Sequence, residues 1–208
     1  MDTYQTGLCV WNEVTLSFDV HKIIWNQQQP NEKPPVMPSG HVTHWTAENG
    51  QAWLLFGDPF PFMRCQADFE SWSDAKQWEI LEPQKSVKLA DGRLIVPHRG
   101  SIAWNNYRKK WVTVFCETGG KPSPLGEIWY ADAEQPNGPW EHAIKVLSHE
   151  NYSFYNPRIC SELVDEDAKF LLFEGTYTRT FSNNPVSTPR YDYNQILYRL
   201  DLDELPHK

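Results

Sequence analysis

Three stretches of this chain lie in step: Ala52-Trp53-Leu54-Leu55-Phe56-Gly57-Asp58, Lys110-Trp111-Val112-Thr113-Val114-Phe115-Cys116-Glu117 and Lys169-Phe170-Leu171-Leu172-Phe173-Glu174-Gly175. Their starts are separated by 58 and then 59 residues. Each is led by an aromatic residue, continues through β-favouring apolar positions and ends at or beside a carboxylate. A shorter apolar segment precedes each one across a tight polar turn. His41 to Thr46 turns through Glu48-Asn49-Gly50, Ser101 to Trp104 through Asn105-Asn106-Tyr107-Arg108, and Arg158 to Val164 through Asp165-Glu166-Asp167. These are hairpin signals. A third strand follows in every copy, at Met63 to Asp68, Ile128 to Asp132 and Ile196 to Asp201. In the first two copies a fourth fits around Trp78 to Leu81 and His142 to Leu147.

Four antiparallel strands in a unit of nearly 60 residues form the sequence pattern of a β-propeller blade. The fold class expected is therefore all-β, with residues 36–82 and 96–148 as blades and 152–204 as a partial one. Leu8 to Asn12 and Ser17 to Ile24 read as the last two strands of a preceding blade within residues 1–26. Gln27 to Ser39, with Pro30, Pro34, Pro35 and Pro38, is a connection between blades. A propeller closes with about four to eight blades, so 208 residues give a single, incomplete propeller domain or fragment. Its open blade edges are expected to promote self-association.

Composition narrows the function. Apolar residues make up 40% and charged residues 22%, the balance of a folded globular chain. No apolar run reaches about 18 residues, so no helix can span a bilayer. The opening MDTYQTGLCVWNEV lacks the basic and apolar regions of a secretory leader. Net charge is −8 with no Lys/Arg stripe, which argues against a nucleic-acid partner. Ten Trp, nine Tyr and ten Phe supply core packing and flat surfaces suited to stacking on sugar rings or bases. Cys9, Cys65, Cys116 and Cys160 are far apart and form no metal or dithiol motif. No GxSxG, Walker loop, GxGxxG after a strand or HExxH occurs.

Blade topology places the start of each innermost strand beside the end of the second strand. The strand starts contribute His41, His98, Arg99, Asn156 and Arg158, and the second-strand ends and following loops contribute Asp58, Glu117, Glu174, Tyr177, Arg190, Tyr191 and Asp192. Paired carboxylates a few Å apart can run acid and base chemistry on a glycosidic bond. Glu174, flanked by Phe173 and Phe181, is the candidate proton donor, with Asp58 or Glu117 as the second acid. Asp58 in Phe56-Gly57-Asp58-Pro59-Phe60 equally suits a turn that caps a strand, and Glu117 before Gly119-Gly120 suits a solvated loop acid. Arg190 and Asp192 equally suit a structural pair. Trp104 or Trp45 is the candidate ring-stacking surface. Strand alternation keeps His41 and His44 on opposite faces, so they are no metal pair, and it forbids His98 and Arg99 from both pointing inward.

Ile128-Trp129-Tyr130-Ala131-Asp132-Ala133 with Pro136-Asn137-Gly138-Pro139-Trp140 resembles the strand and Gly-Pro-Trp turn repeated in glycoside hydrolase family 43. Met63 to Asp68 with Trp72 and Trp78 is similar to the matching segment of other five-bladed propeller glycosidases, and Asn156-Pro157-Arg158-Ile159 to their innermost-strand openings. The resemblance implies a five-bladed propeller with a funnel on its axis. It further implies hydrolysis of an oligo- or polysaccharide, no nucleotide cofactor, and sometimes a structural cation such as calcium. Those enzymes place three carboxylates at innermost-strand starts, whereas the matching positions here read Ser39/His41, His98/Arg99 and Asn156/Arg158. Either the acids lie in blades outside this chain, or Asp58, Glu117 and Glu174 have taken their role one strand over. The remaining alternatives are a non-catalytic propeller that binds a glycan or a protein, and an inactive truncated glycosidase.

Overall fold

The computed structural model describes residues 3–28, 33–121, 123–149 and 151–205. Pro30 of the proline-rich connection and the terminal Pro206-His207-Lys208 lie outside them. The chain is all-β. A hairpin of β1 (Gln5–Asn12) and β2 (Ser17–Asn26) is followed by a four-stranded sheet of β3 (His41–Thr46), β4 (Ala52–Gly57), β5 (Pro61–Gln66) and β6 (Glu79–Ile80). Next come the short β7 (Val87–Lys88) and β8 (Leu94–Ile95), then β9 (Pro97–Asn105), β10 (Lys110–Glu117), β11 (Glu127–Ala133) and β12 (Glu141–Ser148). These join in one six-stranded sheet, in the order β8-β7-β12-β11-β10-β9. The last sheet is β13 (Ser153–Ile159), β14 (Phe170–Thr178) and β15 (Tyr193–Asp201).

Each sheet begins as an antiparallel meander of consecutive strands. The first of these sheets has four strands and the last has three, the numbers placed there from the repeat. The second is widened by β7 and β8, and β7 pairs parallel to β12 at Glu141↔Lys88. Gln84 secures this addition, donating to the Trp140 carbonyl at 2.6 Å and accepting from the Trp140 amide at 2.8 Å. In the third sheet the first strand is Ser153–Ile159, whereas the sequence reading put it at Arg158 to Val164. Ser161–Leu163 instead forms a 3-10 turn. Pro157 is tolerated inside β13 because this strand is an edge and Pro157 sits at a bulge between Tyr155 and Arg158.

Alternation along each strand builds the core in layers. Leu55 and Phe60 of the first sheet meet Ile102, Phe115, Trp129 and Trp140 of the second, with Phe60 stacked on Trp140 at 5.3 Å. The opposite face of β10 turns Val112, Val114 and Cys116 toward Phe154, Ile159, Leu171 and Phe173 of the third sheet. The middle sheet is thus buried on both faces. On the far side of the first sheet, Phe56, Met63, Cys65 and Trp78 pack against Leu8 of the β1–β2 hairpin. The hairpin also leaves Val10, Trp11, Phe18, Val20 and Ile23 exposed. Cys65, Cys116 and Cys160 are buried free thiols that pack as small apolar side chains, and Cys9 is exposed.

The strands that open the three meanders, β3, β9 and β13, are each a sheet edge, and β9 lies between β3 and β13. Edge strands carry unpaired backbone groups, and hydroxyl side chains satisfy them here. Thr43 Oγ1 donates to the Ile102 carbonyl at 3.2 Å, and the Ile159 amide donates to Ser101 Oγ at 2.7 Å. A second device recurs where these strands begin. Gly40, Arg99 and Asn156 all adopt left-handed backbone, with φ of 79°, 52° and 53°. Gly40 meets two demands at once, since a Cβ there would collide with the Gly57 carbonyl oxygen as well as oppose the positive φ.

Candidate functional site

The left-handed kinks gather charged side chains from all three sheets at one end of the edge strands. Asp58 follows β4 and crosses to the second sheet, where one carboxylate oxygen accepts from the Gly100 amide at 3.1 Å and the other pairs with the Arg99 guanidinium. His41 of β3 reaches past the second sheet to the third, its Nε2 hydrogen-bonding Asn156 Oδ1 at 3.3 Å. On β13 and β14, Arg158 and Glu174 are register partners, with Nη1 and Oε1 3.5 Å apart. Arg158 also binds Glu162. Burial pushes the His41 pKa down, so its imidazole is neutral near pH 7 and can donate or accept at a ligand hydroxyl. Asp58, Glu174 and Arg158 all act electrostatically on this ring, which puts the two acids and the histidine in one field.

His98 and Arg99 both join this cluster, against the expectation from strand alternation. Arg99 is the extra residue of a bulge opposite Phe115 and Cys116, and a bulge breaks the two-residue period. The His98 ring lies 6.0 Å from the Tyr155 ring, and Arg99 interacts electrostatically with the same tyrosine. Burial and the Arg99 charge push the His98 pKa down. Tyr155 in turn lies 6.0 Å from Phe181, which is half exposed. Phe181 was expected beside Glu174, whereas Tyr155 had no expected role; the neighbouring Asn156-Pro157 was the available signal for it.

Other candidates lie elsewhere. Glu117 is 7% exposed, not the solvated loop acid its Gly-Gly neighbours suggest. It stands opposite Glu127 where β10 and β11 meet their loop. Burial, then a hydrogen bond to Glu127 and the Glu127 charge, push its pKa up. Arg93 lies 3.5 Å from Glu117, and Lys145 is 2.9 Å from Glu127. None of these partners belongs to the Asp58–Glu174 cluster. Tyr177 binds His149 Nε2 through its hydroxyl at 2.6 Å within a knot that includes Tyr152 and Phe154. Asp192 pairs with Arg179 at 2.7 Å rather than with Arg190. Tyr191 is exposed, and its carbonyl accepts from Asn194, which pins the loop down. The Phe173 ring stacks on Tyr198 at 5.1 Å, on the face of β14 away from Glu174. Trp104 sits at the far end of β9 from Arg99 and takes no part in the cluster. Among the described residues, no group of three or more His, Cys, Asp or Glu side chains is placed to hold a metal ion. Asp58 and Glu174 are each already engaged by a guanidinium, so the cluster as built does not fit a calcium ion.

No family model matches the chain, and comparison with curated proteins finds none that matches. Among solved structures, the chain is similar to an exo-1,5-α-L-arabinanase from a bovine ruminal metagenomic library, at 8% identity and a TM-score of 0.48 over 88% of this chain and 60% of that one. A glycoside hydrolase family 43 protein, YxiA of Bacillus licheniformis, matches at 11% identity and a TM-score of 0.45, over 94% and 50% of the two chains. An N-acetylgalactosamine deacetylase from F. plautii, in complex with blood group B trisaccharide, matches at 12% identity and a TM-score of 0.43, over 91% and 58%. The chain therefore spans between half and three fifths of the length of these proteins.

Proposed function

We propose that the chain is part of a five-bladed-type β-propeller and that the cluster on its edge strands takes an oligosaccharide and hydrolyses a glycosidic bond. One observation supports the reading above all: Asp58, His41, Arg99, Asn156, Arg158 and Glu174 come from three separate sheets and converge through direct contacts. A sugar offers a ring of hydroxyls, each both donor and acceptor. This cluster answers with two carboxylates, two guanidiniums, a neutral imidazole and an amide. Hydrolysis asks one carboxyl to protonate the leaving oxygen and another to attack the anomeric carbon or activate water. Glu174, with its side chain about one-third exposed, is assigned the first role and the more enclosed Asp58 the second. Arg158 and Arg99 orient them and add affinity for an acidic sugar.

The ion pairs favour a second reading, in which the same face binds a glycan without cutting it. A carboxylate already engaged by a guanidinium is a hydroxyl acceptor first and a proton donor second. Released sugar from a panel of neutral and acidic oligosaccharides, measured for the wild type, Glu174→Gln and Asp58→Asn, separates the two. Cleavage that falls by about a hundredfold or more in both variants is expected of a pair of catalytic acids. Binding without cleavage would support the second reading, and cleavage untouched by either substitution would remove this site from the chemistry.

A further inference from the structure

We propose that the cleft between the first two sheets, at the end of the strands away from Asp58 and Glu174, is a second carbohydrate site, one that takes a neutral oligosaccharide by stacking a sugar ring on Trp104. Two tryptophan pairs occupy corresponding places there. Trp45 stands directly opposite Trp53 across β3 and β4, and Trp104 directly opposite Trp111 across β9 and β10. Residues directly opposed in an antiparallel ladder share a face, so both pairs are side by side on their own sheets. Trp111 is buried and meets Trp104 edge-on at 6.0 Å. Trp104 itself is 45% exposed, an unusual state for so large an apolar ring. Its indole nitrogen donates to Asn106 Oδ1 at 2.8 Å, which fixes the plane of the ring.

Trp45, Trp104 and Trp111 line a cleft of about 450 Å³ rimmed by Glu48, Glu134 and Gln135. This volume and the mix of aromatic wall with a few polar groups suit a small ligand. The chemistry of the rim selects among ligands with a flat apolar face. Carboxylates and an amide carbonyl accept hydrogen bonds from hydroxyls, and the acids repel phosphates and uronates. A neutral pyranose or furanose fits both demands, placing its C–H face on the fixed indole and its hydroxyls toward the rim. Arg99 and Trp104 are five residues apart on one strand, roughly 17 Å. The cleft is therefore separate from the cluster assigned above, whose guanidiniums suit acidic sugars, and the inference stands whether or not that cluster cleaves anything.

Calorimetric titration of the full chain with cellohexaose, xylohexaose and, as an acidic control, a tri-galacturonate tests it, with indole fluorescence as a second readout. Wild type, Glu174→Gln, Trp104→Ala, Trp104→Phe and Glu48→Ala are compared after their thermal melts are matched. At least one neutral hexamer should bind and quench fluorescence. Its affinity should be unchanged in Glu174→Gln, about tenfold weaker in Trp104→Ala and largely kept in Trp104→Phe. Glu48→Ala, in an exposed turn, should weaken binding without touching the fold, which covers the case of a misfolded Trp104→Ala. Equal affinity in wild type and Trp104→Ala overturns the proposal. So does the failure of every neutral hexamer to bind, or a loss confined to Glu174→Gln.

Discussion

Ser101→Ala tests how the sheets are joined beneath the candidate site. Ser101 is 3% exposed, and its hydroxyl is the acceptor for the Ile159 amide at 2.7 Å. That amide belongs to an edge strand and points away from its own sheet, so the alanine variant leaves a buried N–H without an acceptor. Orphaning such a group costs about 1–3 kcal/mol. At a melting shift of about 2–4 °C per kcal/mol for a chain of this size, the variant should melt roughly 2–12 °C lower. Thr113→Val is the matched control. Thr113 is fully buried, and its hydroxyl donates to the Ser101 carbonyl at 2.9 Å. Removing it strips one bond from a carbonyl, and an under-satisfied carbonyl is better tolerated than an orphaned amide. Its expected cost is about 1 kcal/mol or less. Urea unfolding of both variants gives the difference directly, with an unchanged slope showing that the compactness of the two end states is the same. Amide exchange adds a local check, because Ile159 should lose protection in Ser101→Ala and keep it in Thr113→Val. If Ser101→Ala costs no more than Thr113→Val and Ile159 stays protected, the hydroxyl link between the second and third sheets does not hold them together.

Two further outcomes are expected. Glu117→Gln should stabilise the protein at pH 7 to 8 and lose that advantage toward pH 4. The sign follows from the raised pKa of the buried carboxyl: a raised acid contributes stability below its unfolded pKa of about 4.3 and loses it as pH rises through the folded value. Urea midpoints across this range check it, and a gap between variant and wild type that is constant with pH would contradict it. The chain should also self-associate, because Phe18, Val20 and Ile23 on the hairpin and Tyr193 and Leu197 on β15 form exposed apolar faces at its two ends. Sedimentation should give a mass above the monomer that falls in Phe18→Glu, and a concentration-independent monomer for the wild type would refute the expectation.

The repeat made the strands legible wherever alternation and aromatic content agreed. The expected positions for β3, β4 and β10 coincide with those observed, because their residues pack on one or two neighbouring sheets and the pattern records that burial. β7 and β8 left no such record. Two residues each, they exist because Gln84 ties this segment to Trp140, a side-chain contact across 56 positions that no local periodicity reports. β13 starts at Ser153 rather than Arg158 and so holds Asn156-Pro157, a pair whose local signal is that of an interruption. On a central strand it would be one, but an edge strand needs no partner for a missing N–H.

The candidate site divides along the same line. Of the residues that topology collected, the structure brings Asp58, Glu174, His41, His98, Arg99, Asn156 and Arg158 together, whereas Glu117, Tyr177 and Asp192 take partners elsewhere. Who pairs with whom was beyond topology, because the pairing depends on left-handed kinks at Arg99 and Asn156 that carry no glycine to announce them. Gly40 is the one member of that series with a visible cue. The kinks matter chemically: without the one at Arg99, alternation would send either His98 or Arg99 away from Tyr155, and Asp58 would lose either its guanidinium or its backbone amide partner. Glu117 shows the complementary error. Its sequence neighbours are two glycines and suggest solvent, but its surroundings are set by the β10–β11 register, which stands Glu127 opposite it. An acid's role here is fixed by the strand across from it more than by the residues beside it. The guanidiniums on Asp58 and Glu174, and the second carboxylate on Glu117, are therefore the features that separate a working acid pair from a binding surface.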